Sequence, residues 1–205
     1  MSPSKKDYEK RYVKPEEQIS GDSALRAPCA ALVKYLDDED VPTGRALILG
    51  SGLGYDVIHF AKKGFDAFGI DFSQSAVAHA ERNASRSKAK CQFACEDFFN
   101  LPTEHLGAYD YVFERAFLCQ VEPEKRSLFG PIVSSLLKPE GVYVGILWNP
   151  DKNPYDREPP YPITLGIIEQ TLGKHFRLES LTECPDGIDE SKMDAYFCIM
   201  RKRNI

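Results

Sequence analysis

Short apolar runs alternate with amphipathic stretches along most of this chain. Runs rich in β-branched and aromatic residues are typical of strands, and apolar residues that recur every three to four positions are typical of helices. Pro123 suits a helix start and Pro139 a helix end. The pattern predicts, in chain order, helix 22–37, strand 46–49, helix 55–63, strand 66–70, helix 74–86, strand 91–95, strand 109–114, helix 123–137, strand 141–148, helix 164–174 and strands 176–184 and 194–201. Such alternation predicts an α/β protein with a mostly parallel sheet, helices on both faces and ligands at the carboxyl ends of its strands.

The loop after the first predicted strand is rich in glycine. It reads G-x-G-x-G at Gly50, Gly52 and Gly54, and Asp71 ends the next predicted strand. Glycine lacks Cβ, so this backbone can approach a nucleotide-like ligand closely, and a carboxylate in this position can bind ribose hydroxyls. The dinucleotide fingerprint is G-x-G-x-x-G. Tyr55 takes the place of its third glycine, which disfavours a nicotinamide cofactor.

The residues after Asp71 narrow the family. They read D-x-S-x-x-A-V-x-x-A, with Ser73 placed to cap the next helix, and the strand that follows ends in Asp97 and Phe98. Together with the glycine loop, this order resembles the class I S-adenosylmethionine-dependent methyltransferases. The resemblance implies that Asp71 binds the cofactor ribose, that Asp97 accepts from the adenine amino group, and that Phe98 lies beside the ring.

The fourth predicted strand resembles one group within that class. Segment 109–123 is similar to the thiopurine methyltransferases and the plant thiol/halide methyltransferases. Glu114 and Arg115 match the thiopurine branch, whereas 117–119 match the thiol/halide branch. The similarity covers roughly residues 5–185. It implies a seven-stranded Rossmann-like sheet with an antiparallel edge hairpin, S-adenosyl-L-methionine as cofactor, one domain over 1–205, an N-terminal lid at 1–20 and a proline-rich substrate-side loop at 149–162.

Two aromatic features have alternative interpretations. In the related group, tryptophans of the N-terminal segment pack over the methionine part of the cofactor. Here Tyr8, Tyr12 and Ile19 stand at the corresponding positions. We expect Tyr8 and Tyr12 to order over the cofactor because the sequence offers them no obvious core, and ordinary surface aromatics are the alternative. Trp148, the only tryptophan, ends a predicted strand either beside the pocket or in the core.

Composition excludes several classes of protein. The net charge is −5, with 42% apolar and 28% charged residues, which is ordinary for a globular domain and disfavours nucleic-acid binding. No apolar run reaches the length of a membrane span or resembles a signal peptide, so we expect a cytoplasmic protein without membrane partners, acting as a monomer. The six cysteines and four histidines lack metal-ligand spacing. We expect free thiols and no metal.

The predicted activity is methyl transfer to a small soft nucleophile, such as a thiol, thiocyanate, a halide or a chalcogen anion, by in-line displacement. A thiol needs only partial deprotonation, and no histidine stands where a catalytic base is expected. Arg115 could favour an anionic acceptor, or it could form a structural ion pair with Glu114. O- or N-methylation of a small metabolite, and cofactor binding without turnover, remain alternatives.

The predicted site residues form two sets. The cofactor-binding set is Tyr8, Tyr12, Gly50, Gly52, Gly54, Asp71, Phe72, Asp97, Phe98 and Glu114. The substrate-binding set is Arg115, Phe117, Cys119, Trp148 and Tyr161, with Arg115 also the catalytic residue.

Overall fold

The computed structural model describes residues 4–19, 26–38, 40–148, 159–184 and 195–204. Its helices and strands are α1 (Lys5–Tyr12), α2 (Ala30–Leu36), β1 (Arg45–Leu49), α3 (Tyr55–Lys62), β2 (Asp66–Asp71), α4 (Gln74–Arg86), β3 (Gln92–Cys95), β4 (Tyr109–Arg115), α5 (Arg126–Leu136), β5 (Leu137–Trp148), α6 (Leu165–Leu172), β6 (Phe176–Glu183) and β7 (Ala195–Lys202). Short 3-10 helices lie at Glu16–Gln18, Phe98–Asn100, Thr103–His105, Leu118–Gln120 and Pro123–Lys125. The strands and helices predicted from residue 46 onward are confirmed, with ends that differ by a few residues.

Two boundary predictions are wrong. The helix predicted at 22–37 is limited to α2 in the described part of the chain, because Cys29 caps its start, with its Sγ accepting from Leu32 N–H at 3.2 Å. Pro139 does not end a helix; it lies inside β5. The pairing of β5 with β4 shifts register at this point, between Tyr109 and Tyr111, and such an irregularity accommodates a residue that has no N–H to donate.

Backbone contacts divide the chain into two compact units, an amino-terminal unit within residues 3–101 and a carboxyl-terminal unit within residues 102–205. The amino-terminal unit contains three parallel strands in the order β3-β2-β1. The carboxyl-terminal unit contains β4-β5-β7-β6, in which β4 and β5 are parallel and β7 runs antiparallel to both β5 and β6. The predicted seven-stranded mixed sheet with an antiparallel edge hairpin is confirmed. A single domain over 1–205 stays a prediction.

The described ranges also bear on other classes of protein. Within them, no helix combines the length and apolar character needed to cross a bilayer. The same ranges contain no group of three or more His, Cys, Asp or Glu side chains that could hold a metal ion. All six cysteines are free thiols, and Cys29, Cys119 and Cys198 are buried as small apolar residues.

The packing of α5 against α6 depends on Gly130. An ideal Cβ at this position would lie 2.1 Å from the backbone oxygen of Thr171. Neither helix backbone can yield to such a contact without moving as a whole, so the absence of a side chain sets how closely the two helices approach.

We therefore expect Gly130→Ala to destabilise the protein by about 1–3 kcal/mol, as overpacking does. Gly166→Ala, in the neighbouring helix, is the matched control, because its Cβ would come no closer than 3.9 Å to another atom. We expect that control to stabilise slightly, by about 0.4–1 kcal/mol, through the entropy of the unfolded chain. Melting temperatures of the two variants test this pair, and an equal effect of both substitutions would contradict it.

Candidate functional site

The glycine loop after β1 requires all three of its glycines. Gly50, Gly52 and Gly54 have φ angles of +58°, +50° and +83°, a region that side chains other than glycine's seldom adopt. Two of them are also sites of close packing. A Cβ on Gly54 would lie 2.8 Å from Cβ of Ala80, and a Cβ on Gly52 would lie 3.2 Å from the hydroxyl of Tyr12. The loop therefore holds its backbone against both α4 and α1.

The Asp71 carboxylate connects this loop to the end of β2. Its Oδ2 accepts from Gly52 N–H at 3.0 Å and its Oδ1 accepts from Ser73 N–H at 2.9 Å. The residue is 8% exposed, and burial raises the pKa of Asp71 to about 6. A carboxylate offers about four lone-pair positions, so two hydrogen bonds leave it able to accept from further donors such as ribose hydroxyls.

Helix α1 is attached to the start of α4 by Glu9, which the sequence did not single out. Its carboxylate accepts from the Ser73 hydroxyl at 2.6 Å and from Ser75 N–H at 3.2 Å, and the Ser75 hydroxyl also donates to it. Hydrogen bonds from Ser73 and then Ser75 lower the pKa of Glu9, so it stays ionised. The negative charge of Glu9 also interacts favourably with the positive, amino-terminal end of the α4 dipole.

Tyr12 belongs to a small core of its own. It is buried with Ile19, Leu53 and Ala76. His79 Nε2 lies 3.0 Å from the Tyr12 carbonyl oxygen, which ties the end of α1 to α4. The expectation that Tyr12 has no core to join is wrong, because apolar residues of the protein bury it. The polar sequence around Tyr12 does not indicate these partners, since Leu53 and Ala76 are far from it in sequence.

Tyr8 also contacts a residue that follows Asp71. Its ring meets the ring of Phe72 edge-on, with the centroids 5.2 Å apart, and the Arg11 guanidinium lies 4.4 Å from the Tyr8 centroid. Tyr8 is partly buried, and its place over the cofactor stays a prediction beside the alternative of an ordinary surface aromatic. α1 thus reaches the polypeptide just after β2 through both an aromatic contact and the Glu9 carboxylate.

Asp97 and Phe98 lie at the start of a 3-10 helix after β3. Asp97 Oδ1 accepts from Phe99 N–H at 3.1 Å, and Oδ2 forms an ion pair with Lys5 Nζ at 2.5 Å. Phe98 is 4% exposed and meets Phe99 edge-on. The amino-terminal unit therefore contains α1, the glycine loop and two of the three predicted cofactor carboxylates, with Lys5 as a second residue that sequence reasoning missed.

Glu114 belongs to the carboxyl-terminal unit and braces the turn after β4. Its Oε2 accepts from the N–H groups of Phe117 and Leu118 at 2.7 and 3.4 Å, and its Oε1 accepts from the Tyr143 hydroxyl at 3.0 Å. The residue is fully buried, and burial raises the pKa of Glu114 to about 7. These bonds fix the backbone that carries Arg115, a partly buried residue at the end of β4. A cofactor contact by Glu114 stays a prediction.

Backbone hydrogen bonds join the segment that contains Tyr161 to two other predicted substrate residues. Tyr161 N–H donates to the Cys119 carbonyl at 2.7 Å, and Ile163 N–H donates to the Trp148 carbonyl at 3.0 Å. Cys119, Trp148 and Tyr161 are all buried, and the Cys119 thiol donates to the Ala116 carbonyl at 3.1 Å. Trp148 is buried at the end of β5, and its contact with a substrate stays a prediction. Of the predicted loop 149–162, residues 149–158 lie outside the described residues.

The remaining substrate residue and one further arginine lie in the same unit. Phe117 packs against Phe129, with ring centroids 6.4 Å apart. Arg126, the first residue of α5, places its guanidinium 5.5 Å from the centroid of the Tyr161 ring. The sequence gave Arg126 no role, because a single arginine at a helix start has no distinctive pattern.

The sequence of this chain is similar to those of known methyltransferases. The Thiopurine S-methyltransferase (TPMT) family model matches residues 15–201. Thiocyanate methyltransferase 1 of Arabidopsis thaliana is 33% identical over 181 residues, 86% of this chain and 77% of that protein. The thiopurine S-methyltransferase of Psychrobacter cryohalolentis is 30% identical over 180 residues, 77% of this chain and 81% of that protein.

Solved structures agree at the level of the fold. A Burkholderia thailandensis 1,6-didemethyltoxoflavin-N1-methyltransferase with bound S-adenosylhomocysteine has a TM-score of 0.74 at 16% identity, covering 98% of this chain and 87% of that one. The magnesium protoporphyrin IX methyltransferase of Synechocystis PCC 6803 with bound SAM has a TM-score of 0.65 at 20% identity, covering 84% and 77%. The chain belongs to the thiopurine S-methyltransferase family and is a methyltransferase whose cofactor is S-adenosyl-L-methionine.

Proposed function

We propose that this enzyme methylates a small soft nucleophile, namely a thiolate, thiocyanate, a halide or a chalcogen anion. The observation that carries the proposal is the kind of side chain around Cys119 and Tyr161. Glu114, near the end of β4, already accepts hydrogen bonds from three donors of the protein. The Arg126 guanidinium places a positive charge next to the Tyr161 ring. A soft anion needs a positive, partly dry site and no base. Relatives named thiocyanate methyltransferase support the same acceptor class.

The reaction needs alignment above all. The sulfonium of the cofactor makes its methyl group electrophilic, so the acceptor must attack about 3 Å from that carbon, opposite the sulfur, in a site that excludes water. Arg115 is the proposed catalytic residue, stabilising the anion before attack. Substrate contacts are proposed for Phe117, Cys119, Trp148 and Tyr161 beside it.

The cofactor contacts are proposed as the sequence predicted them. Asp71 binds the ribose, because its carboxylate has acceptor capacity left after its two backbone hydrogen bonds. Asp97 and Phe98 hold the adenine, and α1 with Tyr8 and Tyr12 forms the lid. Phe72, Glu114 and the three glycines complete the proposed set. We propose that the enzyme acts as a monomer in the cytoplasm, where free thiols stay reduced.

One observation favours O- or N-methylation as the alternative. Burial raises the pKa of Glu114 to about 7, which suits a general base at neutral pH. Its oxygens already accept from Phe117, Leu118 and Tyr143, however, which leaves about one acceptor position for a proton from a substrate.

Methyl transfer to a panel of acceptors tests the function. Purified protein with S-adenosyl-L-methionine is assayed for S-adenosylhomocysteine formation with thiocyanate, iodide, hydrosulfide, an aromatic thiol, a phenol and a primary amine. We expect turnover with the first four acceptors. Turnover with the phenol or the amine and none with the soft acceptors would support the alternative.

Cofactor binding tests Asp71. The hydrogen bonds from ribose hydroxyls to an ionised carboxylate contribute about 1.5–3 kcal/mol, so Asp71→Asn should weaken cofactor binding about tenfold to a hundredfold. The raised pKa of about 6 means that wild-type affinity falls as the pH drops through about 6, since a protonated carboxyl loses acceptor strength. The same shift makes the group's contribution to folding stability greatest below its ordinary pKa and lost as the pH rises through about 6.

Isothermal titration between pH 5 and pH 8 measures both effects. The Asn variant should bind with little pH dependence, and its melting temperature serves as the control for folding. Equal affinity of a folded Asp71→Asn protein and the wild type would remove Asp71 from the cofactor site.

The lid is tested through Glu9. Glu9→Ala removes the acceptor for the Ser73 and Ser75 hydroxyls and for Ser75 N–H, so α1 should open more often. Amide hydrogen exchange in 5–12 should accelerate, and cofactor affinity should fall severalfold. Lys6→Ala, an exposed position on the same helix, is the matched control. Faster exchange without any loss of affinity would separate α1 from cofactor binding.

Arg115 is tested by Arg115→Met, which keeps much of the side-chain volume and removes the charge. We expect kcat/KM for thiocyanate to fall by about 2–3 kcal/mol in transition-state free energy. The affinity for the cofactor should change little. A large fall in melting temperature with equal losses for every acceptor would show that Arg115 is structural.

A further inference from the structure

Arg126 holds two buried nitrogen atoms that nothing in the described part of the chain satisfies. Its Nε and Nη2 are shielded from solvent and have no hydrogen-bond partner there. Buried donors without partners are costly and uncommon in folded proteins. Burial lowers the pKa of Arg126, yet a guanidinium stays charged at any ordinary pH. The Nε–H and Nη2–H groups of Arg126 can therefore donate hydrogen bonds to a ligand.

The two atoms form one edge of the guanidinium. Nε–H and the outer N–H of Nη2 point the same way, and this pair forms side-on bidentate contacts with an anion. A halide fits between the two hydrogens, and the end atom of a linear anion such as thiocyanate can accept from both. Both unsatisfied donors thus belong to the geometry that recognises an anion.

The surroundings of Arg126 suit a soft anion. The Tyr161 ring lies 5.5 Å from its Cζ, and Tyr161 is bonded through its N–H to the Cys119 carbonyl at 2.7 Å. The carboxylate of Glu124 favours the charged guanidinium, but Glu124 is exposed. Glu122 instead pairs with Lys125 at 2.6 Å. A weakly hydrated guanidinium beside an aromatic face matches weakly hydrated anions better than strongly hydrated ones.

We infer that Arg126 is the anion anchor of the acceptor site, binding thiocyanate, a halide or a thiolate through Nε–H and Nη2–H with the Tyr161 ring alongside. This inference rests on the proposed function and adds a residue to it. Arg126 lowers the free energy of the anionic form of a bound thiol, so it both selects charged acceptors and raises the thiolate fraction. Its effect is on the acceptor, whereas the cofactor is bound elsewhere in the proposed site.

Three variants test the anchor. Arg126→Met removes charge and donors, Arg126→Lys keeps the charge without the planar fork, and Lys174→Met removes one charge from an exposed side chain of the same unit as the control. We expect Arg126→Met to raise the KM for thiocyanate about tenfold to a hundredfold, Arg126→Lys to give an intermediate KM, and Lys174→Met to match the wild type.

A pH profile separates anchoring from a structural role. With an aromatic thiol as acceptor, kcat reports the pKa of the bound thiol. Arg126→Met should move that apparent pKa upward by about one unit, a change of about tenfold in thiolate fraction, while leaving the kcat profile with thiocyanate, a permanent anion, unmoved. If Arg126 only supports Tyr161, both acceptors will lose kcat at all pH values and neither profile will shift, which overturns the inference.

Anion binding without turnover keeps this test independent of the proposed function. Sodium thiocyanate is titrated into the cofactor-free protein at constant ionic strength against sodium chloride, with the fluorescence of the single tryptophan, Trp148, as the signal. Saturable thiocyanate binding that Arg126→Met abolishes supports the anchor even if no acceptor is methylated. Binding that is absent in the wild type, or unchanged in Arg126→Met, overturns it. If Arg126→Met fails to fold, Arg126→Lys decides between the same outcomes.

Discussion

The structure of the amino-terminal unit depends on one buried carboxylate. Asp71 is taken almost wholly out of water, which is costly for a charge unless donors compensate it. Those donors are Gly52 N–H, which comes from the glycine loop, and Ser73 N–H, which starts the cap of α4. Because Ser73 also donates to Glu9 on α1, the loop, the strand end and two helices converge on a single charge. A ligand that donates a hydrogen bond to Asp71 would therefore affect the glycine loop, the end of β2, α1 and α4 together.

Glu114, near the end of β4, is also a buried carboxylate that accepts hydrogen bonds from neighbouring segments, but it uses more of its acceptor positions. Both acids lie in the last two residues of a parallel strand, and burial raises the pKa of each. Glu114 accepts from two backbone N–H groups and a tyrosine hydroxyl, whereas the hydrogen bonds described for Asp71 come from two backbone groups. Asp71 therefore has more acceptor positions left for a ligand than Glu114 has. This distinction is invisible in sequence, where each residue is an acid after an apolar run.

The sequence predicted what periodicity and local chemistry determine. Apolar spacing located the strands and helices from residue 46 onward, and the glycine loop with Asp71 followed from the need for positive φ angles and a ribose acceptor. It could not predict Glu9, the burial of Tyr12 or the donors of Arg126, because each depends on residues brought together from distant parts of the chain. Lone acidic, aromatic or basic residues in polar segments have the same pattern whether they face solvent or a partner.

The charge distribution of the protein determines where it can bind an anionic methyl acceptor. The chain carries a net charge of −5, so its overall field repels small anions, and only a local arrangement of cations can bind one. In the carboxyl-terminal unit, two acids have internal partners: Glu114 accepts from backbone N–H groups and Tyr143, and Glu122 pairs with Lys125. The guanidinium of Arg126 is left beside Tyr161 with two buried donors. These two buried donors give an acidic protein a local positive site, and the partial burial of that site strengthens its attraction for an anion that sheds water easily.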